Sequence, residues 1–356
     1  MRARRLAIAG SLAASALLRA QDSTAFAPPA RCASVPAAAP ALPAPHDSAK
    51  AHDSAKAHEG AKAHEGAKKQ SRSRASADRL GRKYGDTVRT APALPEILPG
   101  SVFPGCRVVA FYGNPMSKRM GILGALPADS MLARLDRQAA QYAALDSTRP
   151  VVRALQLVTP VAQAAPGRDG KYRLRMRDST IEHYAQLAAR TNGLLILDMQ
   201  VGKSTVAAEL EPLMPFLVRP DVDLALDAEF SIKRKDKRPG QVVGTLDAAD
   251  INLAIDTLSA LVTRYHLPPK VLIVHRYTIP MLTHSWEIKL DPRVQVVLDM
   301  DGNGIPGDKY GSYGAYVHDR PVEFPGIKLF YKQDTPMLTV RQVMALDPVP
   351  LYVQYQ

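Results

Sequence analysis

The chain has 356 residues and a formal net charge of +12, enough for one large domain or two ordinary ones. Residues 1–100 hold 16 Lys and Arg against 8 Asp and Glu, and residues 101–356 hold 30 against 26, so most of the excess charge is N-terminal. No basic helix is interleaved with aromatic residues, which speaks against a nucleic-acid partner.

The first residues read MRARR followed by LAIAGSLAASALL. Arg2, Arg4 and Arg5 form a positive head, and Leu6 to Leu18 an apolar run short for a bilayer span. This is the pattern of a secretory signal over residues 1–20, cut near Ala20, with an uncleaved anchor as the second reading. The expectation is export to a periplasmic or extracellular space, where disulfides form. Cys32 and Cys106 are the only cysteines, and the sequence leaves both a bridge and two separate thiols open. Residues 21–100 are expected to be a disordered low-complexity linker. A repeat of the type HDSAKA and HEGAKA runs from His46 to Lys69 and has no large apolar residue to bury. His46, His52, His58 and His64 recur every six residues and share no helical face, so a spacer is preferred to a weak metal site.

From Pro104 onward, β-rich runs alternate with amphipathic segments. Strands are predicted at 107–113, 153–161, 193–200, 222–230, 270–278, 294–302, 326–333 and 351–356. Helices are predicted between them. DSMLARLDRQAAQYAAL has Asp129 as N-cap, DSTIEHYAQLAART has Asp178, and STVAAELEPLMPFL has Ser204; AADINLAIDTLSALVTRYH is the longest. Eight near-continuously apolar strands alternating with helices over about 250 residues predict an α/β fold, a (β/α)8 TIM-type barrel at 101–356. No helix follows the last strand. A doubly wound open sheet is the alternative. The strand count and the polar residues at the strands' C-terminal ends favour the barrel.

In such barrels the site lies at the C-terminal face. The strand ends supply Tyr112 and Asn114, Thr159 and Gln163, Asp198 and Gln200, Asp227 and Glu229, His275 and Tyr277, Asp299 and Asp301, Tyr331 and Asp334, and Tyr355. A period of two puts Asp227 with Glu229, Asp198 with Gln200, His275 with Tyr277, and Asp299 with Asp301 on common sides, with Ala225 below the Asp227 pair. One polar pair at a strand end needs no more than contact with water. Four around one rim predict a site for a hydroxyl-rich ligand. Glu229 and Asp227 are the predicted catalytic pair, because close carboxylates push their pKa values apart and glycosidic cleavage needs one of them protonated. Tyr112, Asn114, Gln163, Asp198, Gln200, His275, Tyr277, Asp299, Asp301 and Tyr331 are predicted to bind the sugar. Asp198 or Asp301 is the second carboxylate if the substrate has no acetamido group.

LALDAEF resembles the fourth strand of family 18 chitinases and related glycoside-hydrolase barrels, which ends in D-x-D-x-E. The resemblance implies that Glu229 is the general acid. It also implies that Asp227 orients an N-acetyl group whose oxygen attacks the anomeric carbon. Ala225 stands where the family has its earlier Asp. The family's Met-x-Tyr-Asp is LDMD here, ending at Asp301, which leaves Tyr277 or Tyr331 to supply the hydroxyl. Tyr355 stands nearest the family's stacking Trp, and the one Trp of the chain, Trp286, follows the fifth strand. Residues 105–356 also resemble a group of uncharacterised secreted bacterial barrel proteins with a similar LD-x-E strand, which implies no activity. The expected function is a secreted, monomeric glycoside hydrolase acting on a cell-wall or extracellular polysaccharide. The alternative is a non-catalytic barrel that binds polysaccharide or an envelope partner.

Three other signals weigh less. VGKST at 201–205 lacks the first glycine of a phosphate loop, since Leu197 stands there. Asp299, Asp301, Asn303 and Gly304 match the first half of a calcium loop, but Tyr310 stands at the twelfth position, so no cofactor is expected and calcium is the minority reading. The basic run KRKDKR at 233–238 either flanks the site and favours an anionic polymer or is a solvated loop.

Overall fold

The computed structural model describes Ser76 and residues 78–356. The expected signal at 1–20, Cys32 and the histidine repeat lie outside the described residues. Eight parallel strands close into a barrel in chain order: β1 (Arg107–Gly113), β2 (Val151–Val158), β3 (Leu194–Met199), β4 (Val222–Asp227), β5 (Lys270–Arg276), β6 (Val294–Met300), β7 (Phe324–Leu329) and β8 (Tyr352–Tyr355), with β8 paired to β1. This is the TIM-type barrel expected from the strand pattern.

Alternation along each strand sorts the apolar residues into two cores. Inside the barrel, Val108, Ala110, Ala154, Leu194, Ile196, Ala225, Ile273, Val297 and Phe324 form one cluster. The residues between them, such as Val109, Leu155, Leu195, Leu224, Leu272 and Val296, form the larger cluster under the helices. Those helices include α1 (Ala128–Leu145), α2 (Asp178–Ala189), α3 (Val206–Leu210), α4 (Ala248–Tyr265), α5 (Pro306–Tyr313) and α6 (Val340–Val343). Val102 and Phe103 close the N-terminal end of the barrel. The Gln295 amide accepts from their N–H groups at 2.7 and 3.1 Å and donates to the Phe103 carbonyl at 2.6 Å.

Helix starts differ from expectation. Asp129 and Asp178 lie inside the first turns of α1 and α2, after Pro127 and Arg177, where a carboxylate complements the helix dipole without capping. In α3 it is Thr205, not Ser204, that accepts from the Ala208 N–H, at 3.2 Å. Asp247 and Asp250 form a full capping box on α4.

The expected linker ends earlier than residue 100. Residues 78–84 are helical, and Asp86 is fully buried, bonded to Arg276 and Ser285. Arg320 also reaches it, donating from Nε to the Asp86 carbonyl at 2.9 Å. Arg276 and Arg320 are fully buried as well. The segment docks through buried charge, a contact that a search for apolar residues passes over. Cys106, at the barrel's edge, is buried and disulfide-bonded.

Asp86→Ala leaves the buried Arg276 guanidinium without its carboxylate, whereas Arg320 keeps Asp78 at 2.7 Å. The expected loss is roughly 3–5 kcal/mol of folding stability, measured by urea denaturation. A loss below about 1 kcal/mol, the scale of an exposed pair, would show that residues 78–100 do not brace the barrel.

Candidate active site

A cavity of about 620 Å³ opens at the C-terminal mouth of the barrel. Its wall is made by strand ends and by the turns that follow them. β4 ends at Asp227, whose Oδ1 accepts the Glu229 N–H at 3.1 Å and bends the chain into a 3-10 turn over Ala228–Phe230. Glu229 therefore sits on a turn and not two residues further along a strand, which corrects the expected pairing. Both carboxylates still line the cavity, Asp227 buried and Glu229 half-buried. Gln200, just past β3, donates from Nε2 to Asp227 Oδ2 at 3.0 Å and lies 3.3 Å from the Tyr112 hydroxyl. Its Oε1 accepts the Ala162 N–H at 3.1 Å.

A buried charged layer lies beneath this wall. His275 Nε2 is 3.1 Å from Asp198 Oδ2, and its Nδ1 is 3.2 Å from Asp299 Oδ2 and 3.4 Å from Asp301 Oδ2. Gln156 donates to Asp198 at 2.6 Å and accepts from the Tyr352 hydroxyl. Gly326 makes room for the layer: a Cβ there would come within 2.8 Å of Val297 Cγ1 and 3.1 Å of Asp299 Oδ1.

Burial and neighbouring charge set the protonation states apart. Burial, then the Asp198 charge, raises Asp227 to about 8. Burial and then Asp301 also raise Glu229, against the opposing pull of Lys328 and the Tyr277 hydroxyl. Burial acts on Asp301 too, but His275 hydrogen bonding and charge, with Lys328 and Lys309, hold it below the usual carboxylate range. Burial disfavours a charged His275, yet Asp198, Asp299 and Asp301 override it and raise the imidazole well above its ordinary value. Burial raises Asp299. At neutral pH the cavity thus presents a protonated Asp227 and an ionised Asp301, with an imidazolium below.

Of the residues predicted to bind the ligand, Tyr112, Gln200, Tyr277 and Asp301 line the cavity. Asp198, His275 and Asp299 are buried in the layer beneath. Three are elsewhere. Asn114 holds the loop after β1, donating to the Val158 carbonyl and accepting from the Met116 N–H, each at 2.9 Å. Gln163 belongs to a short hairpin, its N–H bonded to the Tyr172 carbonyl at 2.8 Å. Tyr331 stacks on Tyr355 at 5.3 Å and donates to Gln138 at 3.1 Å. Tyr355 is itself buried, with its hydroxyl 2.7 Å from that of Tyr142.

Lys328, Phe330 and Arg119 line the cavity without having been predicted. The signal for Lys328 was a lysine in register with Gly326 inside an otherwise apolar strand. The calcium reading does not fit the geometry. Asp299 and Asp301 turn toward His275, and Lys309 Nζ fills the loop, donating to the Gly302 carbonyl at 2.7 Å and lying 3.0 Å from Asp334 Oδ2. Among the described residues no group of three or more His, Cys, Asp or Glu is placed to hold a metal ion. No helix among them is long and apolar enough to cross a membrane.

No family model, curated protein or solved structure matches the chain. The barrel and the geometry of its mouth are therefore the ground for a functional reading.

Asp227 binds its proton more tightly in the folded chain than in the unfolded one, at about 8 against an ordinary value of about 4. Its contribution to stability is then full below about pH 4 and is lost as the pH climbs toward about 8. Asp227→Asn has no proton to lose, so its stability relative to the wild type should rise between about pH 5 and pH 8. Denaturation curves across that range test this. A constant difference would mean that Asp227 is ionised throughout.

Proposed function

We propose that the protein is an exported glycoside hydrolase that cleaves a cell-wall or extracellular polysaccharide at the barrel mouth. The observation that carries this reading is the set of three carboxylates on one cavity, with Glu229 and Asp227 raised and Asp301 lowered. Acid-assisted cleavage of an acetal needs this division, one carboxyl that keeps its proton and one that has lost it.

Glu229 is the general acid. It is half-buried on the turn after β4, close enough to solvent to meet a leaving oxygen and dry enough to retain a proton. Asp227 is its partner, fixed by the Gln200 amide and the Glu229 N–H so that its free hydrogen-bonding capacity faces the ligand. Of the two residues considered for the second carboxylate, Asp301 lines the cavity, whereas Asp198 is sealed beneath it. Asp301 is thus assigned to stabilise the positive charge that grows on the sugar ring or to activate water. His275 is a positioning residue that keeps Asp301 ionised. The resemblance of LALDAEF to family 18 chitinases agrees with the role of Glu229 and adds nothing about the sugar.

Turnover on a panel of peptidoglycan, chitin oligomers and plant and bacterial glycans, read as new reducing ends, tests the proposal. Glu229→Gln and Asp301→Asn should each lower the rate by at least about 100-fold with unchanged circular dichroism. The rate should fall on the acid side as Asp301 takes up a proton and on the alkaline side as Glu229 loses one. No release by the wild type at any pH, together with glycan binding, would make the protein a non-catalytic polysaccharide-binding barrel.

A further inference from the structure

We infer that the cavity recognises a negatively charged sugar, one bearing a carboxylate or a sulfate ester, and that Lys328 is the residue that binds the anionic group. The kind of polymer rests on the carbohydrate reading above, whereas the charge of the ligand rests on Lys328 alone.

Lys328 is 4% exposed and lines the cavity. Its ammonium makes no hydrogen bond or ion pair with another described residue. The closest feature is the face of the Tyr112 ring, 3.6 Å from the ring centre, followed by Phe330 at 5.2 Å. Aromatic faces attract a cation and fix its position, but they leave its three N–H donors without acceptors. Other buried cations of the barrel each have a carboxylate or carbonyl partner within reach. Lys309 has the Gly302 carbonyl and Asp334. Lys270 has the Arg219 and Val222 carbonyls. Arg107 has Asp146, and Arg276 has Asp86. The stem is buried while the ammonium opens to the cavity, the place from which a ligand can supply an acceptor.

Neutralising the site's own carboxylates does not account for Lys328. It favours the ionised forms of Glu229, Asp299 and Asp301, but from beyond ion-pair distance. Asp227 keeps its proton, and His275 offsets part of the charge of Asp198, Asp299 and Asp301. The rim agrees. Arg119 lines the cavity. The basic run at 233–238 is tied to its surroundings, with Arg238 donating to the Ala164 carbonyl and Lys203 to the Lys235 carbonyl, each at 2.7 Å. Ala164 belongs to the same stretch after β2 that brings Ala162 to the cavity wall. Lys233 is paired with Asp250, and Arg234 and Lys237 with Asp236, so besides Lys328 the cavity's own basic side chain is Arg119.

The test is calorimetric binding at low salt with the full chain and four probes: a galacturonic acid tetramer, its methyl ester, a sulfated oligosaccharide and a neutral chitin tetramer. The wild type should bind the free acid or the sulfated probe at least about tenfold more tightly than the methyl ester. Lys328→Met should lose that preference, and Lys328→Arg should restore part of it. The wild-type comparison of acid with ester stands even if a variant fails to fold. A preference for sulfate over carboxylate identifies the anion and supports the inference. Equal binding of acid and ester, binding of the neutral probe alone, binding of none, or an undiminished preference in a folded Lys328→Met would overturn it. Turnover plays no part in this measurement. Anion-selective binding without hydrolysis would keep this inference and remove the glycosidase, and hydrolysis of neutral glycans alone would do the reverse.

Discussion

His275 brings an ionisable ring into the buried middle of the barrel, and it stays charged there because three carboxylates surround it. Asp198 stands on its Nε2 side, and Asp299 and Asp301 on its Nδ1 side. Each of these groups alone would lose several kcal/mol of hydration on burial. Together they compensate one another, and the compensation is directional. The imidazolium keeps Asp301 ionised, while Asp198 helps keep a proton on Asp227. The charge state of the cavity wall is thus set one layer below it, by buried groups.

That layer exists because the strands beneath it are filled. Small inward residues, Ala110, Ala154 and Ala225, pack with Val297, Ile273 and Phe324 in the lower half of the barrel, and Val102 and Phe103 close its end. The packed residues below leave the polar groups no room to sink. Gly326 is the complementary case, where the absence of a side chain leaves the space that Asp299 occupies. The same tight frame holds the Lys328 ammonium against Tyr112, with its donors left for a ligand.

Much of the candidate site was legible because strand ends carry a signal of their own. Asp227, Glu229, Gln200, Tyr277, Asp301 and Tyr112 were each marked by a polar residue that broke an apolar run, and all six line one cavity. Asn114, Gln163 and Tyr331 carry the same mark for another reason, since each holds a loop or a neighbouring side chain. Sequence does not separate the two cases, because both need a polar group where a strand meets a turn. Glu229 misled in a different way. Its spacing from Asp227 suited a strand, but the Asp227 carboxylate caps the Glu229 N–H and starts a turn.

The sequence by itself determined the eight strands, their inward and outward faces, the barrel they form and the end at which its polar residues gather. These follow from local periodicity, which every strand states independently. Only the tertiary structure decided which polar residues face a ligand and which face one another, because that depends on register between strands distant in the chain. It decided that Asp86 docks the segment before the barrel onto Arg276 and Arg320, a contact spanning most of the chain. It also decided that Lys328 stands unpaired, since the lack of a partner is a fact about every neighbour at once and no single stretch of sequence records it.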